Sequence, residues 1–422
     1  MSTLTTYDAV VVGARCGGAA TAMLLARQGH RVLMVDHAKF PSDVRLSTHL
    51  LWHSGVDLLH KWGVLDALKA TGCPELTGFK LDMGELVLRG APPDSVAGAA
   101  MAPRRIVMDQ VLIDAARAAG AELREGVTVE GVIEKDGWVQ GIRGRLHDGA
   151  PFEARARVVV GADGAQSRIA RAVNAETYHA FPREAGAYNT FSYFSGIELD
   201  GVEFYSRPER MIYAWSTHDG QCLVGIIQPG HAPRAERADI ESAFMAELDT
   251  LAPDLARRVR GARRDDDWVT VGVNTFCRQA SGPGWALVGD AGVTVDPITA
   301  AGMSNALRDA DLLASVLHEG LSGARPLDEA LADYGPRRDA VAVPLHLFAQ
   351  DMAKLSPPTD EVIQLFVALA GNQPQIDRYF GVFGQTVSPA EFFSPENMQA
   401  IMQAAAAPAT QTTAPVTAAA TH

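Results

Sequence analysis

The sequence predicts an α/β protein in which a βαβ unit is combined with an antiparallel sheet and C-terminal helices. Three observations lead to this fold class. A strand, a glycine-rich turn, a helix and a second strand follow one another over residues 7–36. Two later strands, at 156–161 and 285–288, are each followed closely by a glycine and a carboxylate. Residues 188–228 are rich in aromatic side chains and alternate in polarity, which is typical of an antiparallel sheet.

The composition is that of an ordinary globular protein and weighs against two classes of partner. Of the 422 residues, 47% are apolar and 21% are charged, which is sufficient for two or three structural units. Fifty acidic residues outnumber 37 basic ones and leave a formal charge of −13. Because such a chain offers no positive field for nucleic acid or an anionic bilayer, we expect a small-molecule partner.

The cysteines and the N-terminal residues bear on the cellular compartment. The four cysteines, Cys16, Cys73, Cys222 and Cys277, are widely separated and form no CxxC pair, which suits a reducing compartment and predicts no metal site. No basic segment precedes the first strand, and no apolar run reaches the roughly 18 residues of a membrane span. We therefore expect a cytoplasmic protein without a membrane span, either a monomer or a homodimer.

The first βαβ unit carries a dinucleotide signature. In the turn Gly13-Ala14-Arg15-Cys16-Gly17-Gly18, glycines allow the backbone to approach a pyrophosphate, and the following helix start offers free N–H groups. Arg15 stands where the motif usually has its second glycine, and its guanidinium is suited to pairing with phosphate. Asp36 ends the second strand and is positioned to accept hydrogen bonds from an adenosine ribose. A purely structural turn is the alternative interpretation.

Two companion motifs extend this signature along the chain. The first is Val158-Val159-Val160-Gly161-Ala162-Asp163-Gly164, and the second is Trp285-Ala286-Leu287-Val288-Gly289-Asp290-Ala291-Gly292. Together the three motifs resemble the flavoprotein monooxygenases with the para-hydroxybenzoate hydroxylase fold (group A), with their relatives the flavin halogenases and geranylgeranyl reductases, over roughly the first 340 residues. The resemblance implies a Rossmann-like FAD-binding domain of the glutathione reductase type and a substrate domain built on an antiparallel sheet.

The resemblance also implies cofactor roles for residues in several loops. Asp290 would hold the ribityl chain, Asp163 would serve flavin and pyridine nucleotide binding, and Arg105, with Arg104 as the alternative, would meet the pyrophosphate. Gly302 and Met303, at the start of a long helix, would face the flavin ring. The full set of expected cofactor contacts is Gly13, Ala14, Arg15, Cys16, Gly17, Gly18, Asp36, Arg45, Ser47, Arg105, Val129, Asp163, Asp290, Gly302 and Met303.

Few catalytic side chains are expected, because in this family a C4a-hydroperoxide of the flavin carries the difficult chemistry. His49 and Pro297 are the candidates, the latter seven residues after Asp290, at the family spacing. A structural histidine is the alternative for His49. Aromatic residues of the middle sheet are expected to line the substrate pocket, with sheet packing as the alternative. These residues are Phe191, Tyr193, Phe204, Tyr213 and Trp215.

The predicted domain division follows the motifs. Residues 1–75, 101–178 and 275–345 form a discontinuous FAD-binding domain, and residues 76–100 and 179–274 form the substrate domain. Helices are expected over 346–403. Residues 404–422, mainly alanine and threonine, are expected to be disordered because they bury too little apolar surface to offset the entropy of ordering.

The expected function is that of an NAD(P)H- and O2-dependent monooxygenase that hydroxylates or epoxidises a small aromatic or polyketide-like molecule. NADPH or NADH would bind transiently, or a separate flavin reductase would supply electrons. A geranylgeranyl-reductase-like enzyme that saturates a C=C bond is one alternative, since Tyr213-Ala214-Trp215 resembles part of that family's substrate segment. A flavin-binding redox sensor without turnover is another. A halogenase is less favoured, because no Trp-x-Trp pair accompanies Lys80.

Overall fold

The structure is a computed structural model that describes residues 6–406. The predicted tail, 404–422, lies outside the described residues except for its first three, which end the last helix. The strands within 6–406 are β1 Thr6–Val12, β2 Val32–Asp36, β3 Glu75–Leu76, β4 Phe79–Asp82, β5 Val87–Gly90, β6 Ala100–Met101, β7 Glu122–Glu125, β8 Val127–Lys135, β9 Trp138–Leu146, β10 Pro151–Gly161, β11 Thr177–Phe181, β12 Ala187–Ser195, β13 Val202–Arg207, β14 Arg210–Ser216, β15 Gln221–Pro229, β16 Arg263–Arg264, β17 Val269–Gly272, β18 Thr275–Arg278, β19 Ser281–Gly282, β20 Trp285–Leu287 and β21 Val293–Thr294.

The helices surround these strands on several sides. They are α1 Cys16–Arg27, α2 His53–Lys61, α3 Leu65–Lys69, α4 Arg105–Ala118, α5 Arg168–Ala172, α6 Ile240–Leu251, α7 Pro253–Arg260, α8 Gly302–Leu321, α9 Leu327–Ala353, α10 Asp360–Leu369, α11 Gln373–Gly384, α12 Pro389–Phe392 and α13 Pro395–Ala406. Short 3-10 turns cover His218–Gly220, Gly289–Ala291 and Pro297–Thr299.

The first large sheet confirms the predicted Rossmann-like unit. Its central strands run parallel in the order β20-β10-β1-β2-β7, and the β8–β9 hairpin extends it beside the first half of β10. Helices α1, α4 and α8 pack on one face through small and apolar side chains such as Ala19, Met23 and Leu307. Because β1, β2 and β10 are apolar on both faces, the sheet is buried between layers, as parallel sheets require.

The second large sheet confirms the predicted antiparallel unit. Its order is β16-β12-β15-β14-β13-β4-β5, with β17 also beside β12, and all neighbours are antiparallel except β13 and β4. Successive side chains alternate between two faces. One face packs against the C-terminal helices α10, α11, α12 and α13, and the other packs against α6 and α7. The α/β fold class with C-terminal helices is therefore confirmed.

Residues 268–276 have the apolar alternation of a single strand, but the structure differs. They contain two strands, β17 and the start of β18, in different sheets, because the chain crosses between them at Val273 and Asn274. The apolar alternation continues through this crossing and does not mark it. Within residues 6–406, no helix has the length and apolar character needed to span a membrane. The domain bounds given above stay a prediction.

Candidate cofactor and substrate site

A cavity of about 810 Å³ opens beside the carboxyl ends of the parallel strands and extends towards the antiparallel sheet. Its size and place are typical of a cofactor site in an α/β fold. The cavity has two parts, a nucleotide end and a ring end. The nucleotide end is lined by Gly13, Arg15, Cys16, Gly17, Asp36, Arg105, Val129, Asp163 and Arg168. The ring end is lined by Ser47, Thr48, His49, Leu50, Asn189, Val271, Val273, Thr294, Val295, Pro297, Ala300, Gly302 and Met303.

The nucleotide end begins at the turn between β1 and α1. Gly13 has a φ of +100°, and a Cβ there would lie 2.3 Å from the carbonyl oxygen of Ala162, so only glycine fits. In residues 6–406, no side chain caps the start of α1, and its first turn carries no acidic residue. The N-terminal N–H groups of α1 and the positive end of its dipole are thus available to an anion.

Asp109 connects three residues at this end. Its fully buried carboxylate accepts hydrogen bonds from Arg15 Nη1 at 2.8 Å, Arg105 Nη2 at 3.0 Å and Cys16 Sγ at 3.2 Å. Burial raises the pKa of Cys16 to about 12, so the thiol stays protonated as a donor. Arg15, which stands in the glycine turn, is therefore paired with a carboxylate of the protein.

The carboxylates of Asp36 and Asp163 stabilise the turns that surround the cavity. Asp36 accepts from the backbone N–H groups of Ala14 at 2.9 Å and Ala38 at 2.8 Å. Asp163 accepts from the hydroxyl of Ser167 at 2.5 Å and the backbone N–H of Arg168 at 2.6 Å. Each of the two side chains thus fixes local backbone while it faces the cavity.

Asp290 lies between the two ends of the cavity and is differently placed. Within residues 6–406, no protein group donates a hydrogen bond to its carboxylate, and its accessible surface faces the cavity. Desolvation of the Asp290 carboxylate by the surrounding protein raises its pKa, while the positive charge of Arg105 opposes that rise. A carboxylate without a protein donor here is suited to accepting hydrogen bonds from a bound ligand.

The ring end is closed on one side by the start of α8. Gly302 begins this helix; the described chain provides no side-chain cap for it and no acidic residue in its first turn. A Cβ at Gly302 would meet no protein atom within 4 Å, so the cavity extends over this backbone. The helix therefore presents free N–H groups and a positive dipole end to the ring end.

Asp296 fixes the loop that precedes α8. Its fully buried carboxylate accepts from the backbone N–H of Ile298 at 3.0 Å and, more weakly, from that of Ala187 at 3.4 Å. The second bond joins the loop to the first residue of β12. Burial raises the pKa of Asp296 to about 6.

His49 is held in a constrained position at the ring end. It has a φ of +66°, is 2% exposed, and its Nδ1 lies 2.5 Å from the hydroxyl of Tyr193. No partner for Nε2 exists among residues 6–406. Burial, assisted by Arg104 and Arg105, lowers the pKa of His49 well below its usual value, so the ring is neutral at physiological pH.

Most residues expected to contact the cofactor line the cavity, but three do not. Ala14 and Gly18 lie behind the turn, and a Cβ at Gly18 would lie 1.8 Å from the oxygen of Gly13. Arg45 is exposed and its guanidinium is 3.8 Å from Asp267. Of the two adjacent arginines, Arg105 faces the cavity. Arg104 instead lies over the ring of Tyr193.

The expectation that five aromatic residues line the pocket is not met in the structure. Phe191, Tyr193, Tyr213 and Trp215 are at most 4% exposed, and Phe204 is partly buried beside them. None of the five lines the cavity, because the loop 47–50 and the C-terminal helices cover this face of the sheet. The cavity instead reaches Asn189, Val271 and Val273, which the sequence reasoning missed. A single amide on an otherwise aromatic strand face was the available signal.

These features define an FAD-binding oxidoreductase. Residues 6–347 match the protein family described as FAD binding domain, and the chain belongs to that family. It is 27% identical over 325 residues to a digeranylgeranylglycerophospholipid reductase of Methanosarcina mazei (75% of this chain, 76% of the relative). It is 28% identical over 341 residues to a 6-methylpretetramide 4-monooxygenase of Streptomyces rimosus (77% and 78%). A flavoprotein/dehydrogenase of Cytophaga hutchinsonii has a similar fold, with a TM-score of 0.79 at 17% identity over 95% of this chain and 99% of that one.

Proposed function

We propose that this protein is an FAD-dependent monooxygenase that uses O2 to hydroxylate or epoxidise a small aromatic or polyketide-like molecule. One observation carries the proposal: among residues 6–406, no side chain that lines the ring end is able to act as an acid at neutral pH, and Asp296 is fully buried behind this lining. The polar groups of the lining are hydroxyls, one amide and the neutral His49. Oxygen transfer needs little acid–base help from the protein, so this lining suits it.

Saturation of a C=C bond makes a different demand. A hydride added to one carbon must be matched by a proton added to the other, which requires a donor over the ring. The low pKa of His49 makes it a poor donor. The identity to the archaeal reductase keeps that activity as the second candidate.

The position of Lys80 disfavours halogenation. Its ammonium lies 3.2 Å from the hydroxyl of Tyr205 and 3.6 Å from Glu203. Tyr205 belongs to the face of the sheet that packs against α6 and α7. Lys80 thus faces away from the cavity and cannot reach a group bound there.

The cavity fits FAD by the groups that it presents. The start of α1 and Arg105 would hold the pyrophosphate, Asp36 the adenosine ribose and Asp290 the ribityl chain. Gly302 and Met303 would face the ring, where the N–H groups of α8 stabilise negative charge. Bound FAD would supply the electron transfer and the reaction with O2. Ser47, Val129 and Asp163 are further proposed contacts.

The remaining ring-end residues would exclude water and orient the substrate. Val271, Val273 and Val295 provide an apolar wall, and Pro297 lies in the loop held by Asp296. NADPH or NADH would bind transiently, or a separate flavin reductase would deliver the electrons. We place the enzyme in the cytoplasm, as a monomer or homodimer.

The test is turnover of the purified holoenzyme with NADPH or NADH and a panel of phenols under isotopically labelled O2. We expect one labelled oxygen atom per product molecule and faster NAD(P)H oxidation with substrate. A product that gains two hydrogens and no label would instead support the reductase. If neither nicotinamide bleaches the flavin, but reduction by dithionite followed by labelled O2 and a phenol yields labelled product, a separate reductase supplies the electrons.

A further inference from the structure

Asn189 stands out in the ring end because it is the one amide among valines. It lies on β12 directly opposite Val271 of β17, and both residues line the cavity. Its side chain is about 1% exposed. A buried amide normally uses both its oxygen and its nitrogen in hydrogen bonds.

Only half of this requirement is met by the protein. The oxygen Oδ1 accepts a hydrogen bond of 2.8 Å from the hydroxyl of Tyr213. In the described range 6–406, no group accepts a hydrogen bond from the nitrogen Nδ2, and this atom keeps accessible surface. The remaining donor is therefore directed at the open cavity.

The sheet is built to hold the amide in this orientation. Tyr213 lies on β14 and Asn189 on β12, with β15 between them. The tyrosine ring crosses β15 over Gly225, which is paired with Tyr213, and a Cβ at Gly225 would lie 2.2 Å from the phenol oxygen. Trp215 stacks on Tyr213 at 4.6 Å and fixes its ring. The aromatic residues of this face thus position Asn189.

The same strand is attached to the loop before α8. The backbone N–H of Ala187, two residues before Asn189, points to Asp296, which is adjacent to Pro297. Asn189 therefore lies on the strand that is bonded to the loop before α8, next to the apolar wall formed by Val271 and Val273. A ligand there needs an apolar body and one oxygen that accepts a hydrogen bond.

We propose that Asn189 is a specificity-determining residue whose Nδ2 donates a hydrogen bond to a carbonyl, phenol or phenolate oxygen of the substrate, with Tyr213 as its positioning residue. This inference rests on the proposed function. A site that hydrogen-bonds a substrate oxygen discriminates against the analogue that lacks it, because the buried amide is then left unpaired.

The test compares two probes that differ by one oxygen, 2-naphthol and naphthalene, titrated into the oxidised holoenzyme and followed by flavin absorbance. We expect wild type to bind 2-naphthol about tenfold more tightly. Asn189→Leu should abolish this preference while FAD content is unchanged. Thr190→Ala, on the neighbouring and opposite-facing position of β12, should keep it.

Tyr213→Phe provides a second variant that leaves Asn189 in place. It should reduce the preference for 2-naphthol over naphthalene roughly threefold. If Tyr213 had only a structural role, its loss would weaken the binding of both probes equally. Equal binding of the two probes by wild type, or an unchanged preference in Asn189→Leu, would overturn the inference. So would loss of FAD or a shifted flavin spectrum in Asn189→Leu without probe, since the donor would then serve the flavin carbonyl. These binding measurements do not depend on turnover. Failure of the Asn189 inference can therefore be distinguished from failure of the monooxygenase proposal.

Discussion

The nucleotide end of the cavity presents arginines and aspartates that bond to one another, whereas the ring end presents valines, hydroxyls and a single positioned amide. At the nucleotide end, the partners of a functional residue lie in turns and helix starts, as Asp163 and Ser167 do. At the ring end, the partners come from separate strands, as Tyr213 and Asn189 do. Bonds among turns and helix starts hold the first end, while strand register controls the second.

The largest expected effect tests whether the nucleotide end depends on its charge network. Asp109→Leu leaves Arg15 and the mostly buried Arg105 without their carboxylate. We expect the free energy of unfolding of the FAD-free protein to fall by about 3–5 kcal/mol, measured by chemical denaturation. Asp114→Leu, an exposed site on the same helix, is the control and should cost less than about 1 kcal/mol. Equal losses in the two variants would contradict a special role for Asp109.

The next effect concerns pH at the ring end. Because burial raises the pKa of Asp296 from 3.8 to about 6, the protonated form is favoured in the folded state. Its contribution to stability is complete below pH 3.8 and is lost as the pH rises through 6. Between pH 4 and 7, wild type should therefore lose about 2 kcal/mol relative to Asp296→Asn. If the free energy of unfolding changes equally with pH in the two proteins over this range, the prediction is refuted.

Cofactor affinity is expected to respond next. Asp290→Ala removes the carboxylate that has no protein donor, and with it the charge-assisted hydrogen bonds proposed for the ribityl chain. We expect FAD to bind about 10–100-fold more weakly, measured by fluorescence titration of the FAD-free protein. Asp254→Ala, at an exposed carboxylate on α7, should bind FAD like wild type. Stoichiometric FAD in Asp290→Ala after gel filtration would remove the ribityl assignment.

The smallest effect tests a residue that sequence reasoning placed at the cofactor. Arg45 is 73% exposed in its side chain, and its partner Asp267 is equally open to solvent. Such pairs contribute little, so Arg45→Ala should change FAD affinity by less than about twofold in the same titration. A tenfold loss would mean that the loop 44–49 closes over the cofactor when FAD is bound.

The sequence predicted the parts of the site that depend on short motifs. Short motifs predicted that the cavity would include the glycine turn, Asp36, Asp163 and Asp290, because strand, turn and helix start follow directly in the chain. Arg45 could not be placed, since one residue of register decides whether a loop side chain faces the cavity or solvent.

The aromatic residues were misplaced for a different reason. Phe191 and Tyr193 do share one face of β12, because successive side chains of a strand alternate between its two faces. That face is covered by the distant loop 47–50 and by helices more than 150 residues later in the chain, with Phe380 and Phe392 in the same core. No local pattern carries that information, and for the same reason Asn189 was overlooked.

The helices that cover the aromatic face lie outside the cavity. The family match ends at residue 347, and α10 to α13 follow it. All residues that line the cavity precede these helices in the chain, whereas the helices support the aromatic face from behind. A change in the C-terminal helices can therefore reach a bound ligand only indirectly, through the strand that carries Asn189.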